Sequence, residues 1–334
     1  MKKIGVAVIG LGIGERHLRA YHRDARCQIR WALDHDKVKA KNLAEETGAG
    51  VASSYEAILK DEDVQIVSIA SFDDDHARQV IQAINAGKHV FVEKPLCQTI
   101  DQLQEIQRAW SKHNGRIKLV SNLVLRAAPV YQWLKEKIVS GEFGKIYSFD
   151  GEYLYGRLHK ITDGWRNAVE NYSVMEGGGV HLIDLMLWLT NERPQTVFSM
   201  GNRISTEGTK FSYNDFVASM LQMKSGLVAR ITANFGSVHR HQHVVRVFGT
   251  KATFIYDDLG ARVHWTRDED KKAEKLNLPT LPADKGDLIP DFVSAVLEDK
   301  NVNEQTQAAF DGLSVSAACD RALITKRLET IKYL

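Results

Sequence analysis

Ile4 to Ile9 is an unbroken apolar run that stops at Gly10-Leu11-Gly12-Ile13-Gly14, and the polar stretch from Glu15 to Asp24 that follows carries Leu18 and Tyr21 at helical spacing. This is the pattern of a buried strand, a tight turn and a helix with one apolar face. The alternation then repeats. Strands are expected at Ile29 to Leu33, Ile66 to Ala70, His89 to Val92 and Lys118 to Ser121, with helices at Lys37 to Thr47, His76 to Asn85 and Thr99 to His113. Strands separated by helices pair in parallel through right-handed crossovers, so residues 1–122 are expected to form a doubly wound α/β sheet that binds ligands at the carboxyl ends of its strands.

Beyond Asn122 the period changes. A helix from Pro129 to Ser140 leads through Gly141-Glu142-Phe143-Gly144 into longer runs of period two, at Lys145 to Tyr155, Thr196 to Asn202, Phe216 to Met223, Leu227 to Phe235 and His243 to Phe248. Lys224-Ser225-Gly226 joins two of them as a hairpin turn. Asp163 to Gly179 reads as irregular, Val180 to Leu189 as helix, and the tail as two helices, Leu288 to Leu297 and Gln305 to Lys326. Residues 123–334 are therefore expected to be an α+β domain on an antiparallel sheet.

Composition narrows the class of function. With 334 residues, 44% hydrophobic and 26% charged, the chain can bury two cores, which excludes disorder and fibre. Lys and Arg number 44 against 42 Asp and Glu, a net charge of +2 that favours neither nucleic acid nor an anionic membrane as partner. Cys27, Cys97 and Cys319 are scattered, with no Cys-x-x-Cys pair, so neither a disulfide framework nor a structural metal is expected and a reducing cytoplasm fits. Met1-Lys2-Lys3 before the first apolar run imitates a signal peptide, but glycines break that run and no small-residue cleavage site follows. No apolar stretch approaches the roughly 18 residues of a membrane helix.

The glycine turn carries the first chemistry. Gly10 permits the sharp exit from the strand, and Gly12, with Ile13 and Gly14 after it, lets backbone approach a pyrophosphate whose charge is stabilised by the positive end of the following helix. The pattern departs from G-x-G-x-x-G, because its sixth position is Glu15 and Gly14 falls one place early. Asp34 lies 22 residues beyond Gly12 at the end of the second strand, where a carboxylate accepts from ribose hydroxyls. It would repel a 2′-phosphate. No Arg occurs between Arg30 and Arg78, so NAD is expected over NADP. A strand ending in Glu93-Lys94-Pro95 places Lys94 at the same carboxyl edge, where an ammonium can donate to a developing alkoxide.

The glycine turn, Asp34, the segment from Ile69-Ala70-Ser71 to His76, the AGKHVFVEKPL run, Asn122 with Arg126 and Pro129, and GGGVHLIDLMLWL from Gly177 to Leu189 together resemble the glucose-fructose oxidoreductase/inositol dehydrogenase/rhizopine-catabolism family, Gfo/Idh/MocA. The resemblance spans nearly the whole chain. It implies an amino-terminal Rossmann domain, a carboxy-terminal domain with an open, mostly antiparallel sheet and helices on one face, NAD or NADP as cofactor, and sugars, sugar derivatives or cyclitols as substrates. Ser71, His76, Glu93 and Lys94 join the cofactor set.

His181, three residues before Asp184, matches the family's histidine that works with the Glu-Lys-Pro lysine on the reacting hydroxyl. Imidazole, with a pKa near ~6.5, suits removal of that proton. Many members carry an aspartate four residues before this histidine; here the position is Gly177, with Glu176, Asp184 and Tyr172 as replacements to weigh. Tyr155, Trp165 and Arg166 suit a polyhydroxylated ring, and Arg126, His181, Asp184 and Lys94 complete the expected substrate contacts. His239, His241 and His243 share one face of an extended segment, a spacing that could hold a metal, but with no cysteine or carboxylate near they read rather as a basic, hydrogen-bonding wall or a surface loop, and no metal is expected.

The leading function is thus an NAD(P)-dependent oxidoreductase on a CH–OH group. The alternatives are a lyase or glycosidase that recycles bound NAD, and a non-catalytic NAD-binding regulator. An open sheet needs cover on its second face, and the alternation in Val217 to Leu221 and Ala229 to Phe235 is expected to leave apolar residues there, giving a homodimer or homotetramer as in the family.

Overall fold

The structure is a computed structural model that describes residues 3–334. Its strands are β1 Ile4–Ile9, β2 Cys27–Leu33, β3 Gly50–Val51, β4 Ile66–Ile69, β5 His89–Val92, β6 Leu119–Ser121, β7 Ile146–Leu154, β8 Pro194–Asn202, β9 Phe216–Met223, β10 Val228–Asn234, β11 Gln242–Gly249, β12 Thr253–Asp257, β13 Gly260–His264, β14 Glu274–Lys275 and β15 Glu329–Thr330. The α-helices are α1 Gly14–Arg23, α2 Lys37–Thr47, α3 Tyr55–Lys60, α4 His76–Asn85, α5 Ile100–Ser111, α6 Pro129–Val139, α7 His159–Thr162, α8 Val180–Thr190, α9 Ile289–Leu297 and α10 Asn303–Thr325. A 3-10 turn, Trp165–Ala168, and a π-helical turn, Met175–Gly179, lie in the stretch read as irregular. Among the described residues no helix is long and apolar enough to cross a membrane.

In the first unit, β1 to β6 form a parallel sheet in the order β3-β2-β1-β4-β5-β6. The order reverses at β1, which puts a crevice at the carboxyl ends of β1 and β4. β1 is buried along its whole length, as a strand covered on both faces must be. Helix starts are fixed locally: Asp36 caps α2 by accepting from the Val38 and Lys39 amides, and Thr99 with Gln102 forms a capping box on α5.

The division of the chain differs from a single cut after Asn122. One compact unit runs to Val124 and takes in Pro282–Phe310; the other comprises Leu125–Leu281 and Asp311–Leu334. The reason is packing at long range. Ile289, Phe292 and Val293 of α9 are buried in the same core as Val6, Val8 and Leu18, and Phe292 meets Phe91 at 5.4 Å. Such contacts leave no trace in local periodicity.

In the second unit the sheet order is β14-β13-β12-β11-β7-β10-β9-β8-β15, antiparallel except for the parallel pair β7/β10. The Lys224-Ser225-Gly226 turn joins β9 to β10, with Gly226 at φ +91°. The apolar residues of the alternating runs do not line an open face. Val217, Leu221, Ala229, Ile231, Ala233 and Phe235 are all buried in the core of this unit, with Leu182, Leu185 and Met186 of α8. The alternate positions instead carry an ion-pair array in which Arg230 bridges Asp150 and Glu152, and Arg246 binds Glu152 at 2.9 Å. Phe198, Met200 and Met220 stand exposed on β8 and β9.

Candidate functional site

Gly10 leaves β1 at φ +75°, and a Cβ there would run into the Ala70 carbonyl, so both conformation and space require glycine. A Cβ on Gly12 would meet nothing within 4 Å. That open place above the turn is the cradle a pyrophosphate needs. Gly14 serves packing instead, since a Cβ there would sit 3.2 Å from Ala70 Cβ and Val8 Cγ1, and glycine lets α1 lie close on the sheet. Ile13 is half exposed beside it.

Asp34 follows β2, with both carboxylate oxygens engaged by backbone. Oδ2 accepts from the Leu11 amide at 2.5 Å and Oδ1 from the Asp36 amide at 2.8 Å. Each oxygen has a second lone pair, so the carboxylate can still accept from ribose hydroxyls. Gly10, Gly12, Asp34 and Ser71 line one cavity of about 630 Å³, within the range of small-ligand sites. Its wall also holds His35 and Phe72, whose rings lie nearly parallel (15°) with centroids 6.5 Å apart, close to twice the thickness of an aromatic ring. The residues present therefore fit a dinucleotide: a glycine cradle, a ribose acceptor and two flat faces.

Local sequence patterns do not point to Phe72, Tyr55, Gln79 or Arg78, which the fold brings into this wall. Tyr55 donates to the Gln79 carbonyl and Ser71 to the Gln79 side chain, so Ser71 shapes the cavity through Gln79. Arg78, which marked the far limit of an arginine-free stretch, is brought by α4 to the same cavity as Asp34. It is paired with Asp75 at 2.6 Å.

The Glu93-Lys94-Pro95 turn follows β5 and contains a cis Lys94–Pro95 bond. Glu93 points inward: it accepts from Asn122 Nδ2 at 2.8 Å and meets His17 Nε2 at 3.1 Å, while His17 Nδ1 contacts Ser68 Oγ at 3.0 Å. Burial alone would raise the Glu93 carboxyl, but the His17 and Asn122 hydrogen bonds and the nearby charges of His17 and Lys285 bring it down to about 2. His76 is buried, with Nδ1 2.7 Å from the Pro95 carbonyl and Nε2 3.2 Å from that of Ser71. Glu93 and His76 thus frame the turn that presents the partly buried Lys94. His17 is not among the residues expected from the sequence; the signal that marks it is its spacing of four from Tyr21 on the buried face of α1.

In the second unit, His181 opens α8 after the π-helical turn. Its ring stacks with Tyr153 (6.1 Å, 17°) and lies edge-on to His243 at 5.6 Å, and His241 stands 5.0 Å from His243. Tyr155 stacks on Tyr153, and both pack on Phe235. His239 is elsewhere, paired with Asp258 at 3.0 Å. Of the three spaced histidines, His243 meets His181 and His241 meets His243, and among the described residues no three His, Cys, Asp or Glu side chains converge as metal ligands.

Arg126 and Asp184 form a bidentate pair at 3.0 and 2.5 Å, with Asp184 buried and the guanidinium over Trp188. Burial pushes the Asp184 carboxyl up while Arg126 pulls it back. The Arg166 guanidinium lies over Trp165, its Cζ 4.3 Å from the ring centroid, and donates Nε to the Tyr172 hydroxyl at 3.1 Å.

Comparison with known proteins agrees with this geometry. Residues 4–120 match a family model described as oxidoreductase family, NAD-binding Rossmann fold, and residues 131–255 match the GFO/IDH/MocA C-terminal domain. An inositol 2-dehydrogenase of Salmonella typhimurium (strain LT2) is 30% identical over 207 residues, 58% of this chain and 56% of that protein, so the match spans little more than half the length of that relative. The 2,7-anhydro-N-acetylneuraminate hydratase of Escherichia coli K12 is 26% identical over 300 residues, 82% of this chain and 77% of that one. Levoglucosan dehydrogenase in complex with NADH shares the fold at TM-score 0.86 and 20% identity, with all of both chains covered. With an NAD-binding Rossmann domain followed by the GFO/IDH/MocA carboxy-terminal domain, this chain belongs to the Gfo/Idh/MocA oxidoreductase family.

Proposed function

We propose that this protein is an NAD-dependent dehydrogenase transferring hydride between nicotinamide and a CH–OH group of a sugar, sugar derivative or cyclitol. The observation that carries the reading is the first unit's sheet edge, where the Gly10–Gly12 cradle, Asp34 and Lys94 all stand at carboxyl ends of parallel strands. Oxidation of a carbinol releases a hydride, which the bound cofactor accepts, and a proton. Lys94 donates a hydrogen bond to the substrate oxygen and stabilises the developing alkoxide; His181 takes the proton. Trp165, held under Arg166, offers an aromatic face to a polyhydroxylated ring. Arg126 and Asp184 hold each other and act by positioning. Two relatives whose names are dehydrogenases of a cyclitol and an anhydrosugar support this substrate class.

With NAD and a panel of sugars and cyclitols, the absorbance of reduced nicotinamide is expected to rise for at least one compound. No rise with any member, under conditions where NAD binds, would overturn the reading. A second reading, a lyase that recycles bound NAD, is favoured by the relative named as a hydratase. It would give product without net reduction.

For the cofactor we propose NAD over NADP, because the Asp34 carboxylate repels a 2′-phosphate and Arg78 is already held by Asp75. Calorimetric titration is expected to show tighter binding of NAD, and Asp34→Ala to narrow the gap. Tighter binding of NADP to the wild type would contradict this.

For assembly we propose a dimer through the outer face of the second unit's sheet. Its array of Arg230, Arg246, Asp150 and Glu152 balances in charge and is flanked by exposed Phe198, Met200 and Met220, a surface that suits a second copy of itself. Light scattering at micromolar concentration is expected to give twice the chain mass or a multiple of it, and Met200→Glu with Met220→Glu to give monomer. A monomeric wild type would refute the proposal.

A further inference from the structure

Gly177 lies in the π-helical turn that leads into α8, and the structure shows what fills the space beside it. A Cβ on Gly177 would overlap the Tyr172 hydroxyl and lie 2.9 Å from its Cζ. Glycine at 177 is what lets that hydroxyl stand against the turn. Tyr172 is buried, edge-on to Phe211 and Phe235 at 5.9 and 6.3 Å, so packing sets its place. Arg166, over the ring of Trp165, donates Nε to the Tyr172 oxygen at 3.1 Å. A guanidinium has no acceptor, so in this bond the phenol oxygen accepts and its own hydrogen points elsewhere. Gly177 precedes His181 by four residues, about one turn of the chain where the π-helical turn runs into α8.

We propose that Tyr172, held by Arg166, is a positioning residue for His181: its hydroxyl occupies the space a side chain at 177 would take and offers its hydrogen to the imidazole. The inference rests on the reading that His181 exchanges the substrate proton. A carboxylate in that space accepts only, and favours the imidazolium. A hydroxyl that donates favours the neutral ring, which is the form able to take a proton from a carbinol. The Arg166 charge strengthens the donor. The other groups near His181 are Tyr153 stacked on it and His243 at its edge, with His241 against His243, Arg157 over Tyr155, Glu176 buried in the preceding turn, and Asp184 tied to Arg126. None of them changes in the variants below.

The test is a pH titration of the full chain with labelled histidine, followed by NMR without cofactor or substrate, the His181 signal being assigned by its loss in His181→Gln. Tyr172→Phe is expected to raise the His181 pKa by about half a pH unit or more, because the neutral ring loses its donor. Tyr172→Ala combined with Gly177→Asp, which puts a carboxylate into the vacated space, is expected to raise it further. His239, paired with Asp258, reports whether the fold is intact. A His181 titration that is unchanged or lowered in Tyr172→Phe would overturn the proposal, whatever the double variant shows. It would leave the oxidoreductase reading standing, and a failed sugar panel would not alter this measurement.

Discussion

Lys94→Ala is expected to lower turnover roughly a hundredfold or more while leaving the melting temperature and NAD affinity near wild type. The side chain is partly buried just after β5, and other residues frame the turn that carries it. The Glu93 amide donates to the Ile69 carbonyl at 2.8 Å, His76 holds the Pro95 carbonyl, and Glu93 is anchored by His17 and Asn122. Truncation removes an ammonium and leaves its mount. Lys94→Arg is not expected to rescue, since a planar guanidinium delivers its donors in another geometry. Steady-state kinetics with calorimetry separates the two effects. Near-wild-type turnover in Lys94→Ala would remove this residue from the chemistry.

The second large effect is a contrast between two glycines of the same turn. Gly10→Ala places a side chain at φ +75° and against the Ala70 carbonyl, a conformation and a contact that together cost about 1–3 kcal/mol or more. The melting temperature should fall, and NAD affinity with it. Gly12→Ala meets no protein atom within 4 Å, so stability should hold. Its methyl fills the cradle, however, and NAD affinity is expected to drop by roughly tenfold or more, or about 1.4 kcal/mol. Thermal melts and calorimetric titration of both variants check the pair. Undiminished NAD affinity in Gly12→Ala would place the pyrophosphate elsewhere.

These two glycines also show how far the sequence can be read. The apolar run, the glycines and Asp34 were legible because a parallel strand and its βα turn are local events, set by residues adjacent in the chain. Helix α2 begins and ends at Lys37 and Thr47, and α4 at His76 and Asn85, as expected from the sequence. What escaped was everything decided at long range. Phe72 and Arg78 reach the Asp34 cavity from the end of β4 and from α4, and α9 returns from the tail to the first core. The outer face of the second sheet was misassigned because period two says that two faces differ and not which one the helices cover. Gly177 read as the loss of a side chain. Its meaning, room for the Tyr172 hydroxyl, exists only in three dimensions.

On the proposed function, hydride leaves a carbinol carbon for nicotinamide and departs with it. The most direct measurement uses a cyclitol or sugar that is turned over, deuterated at the reacting carbon, and follows the label by mass spectrometry of released cofactor and product. Deuterium is expected in the released NADH, with none at the oxidised carbon of the product. Deuterium kept in the product, with no labelled NADH released, would contradict the claim and identify an enzyme that recycles its cofactor within each turnover.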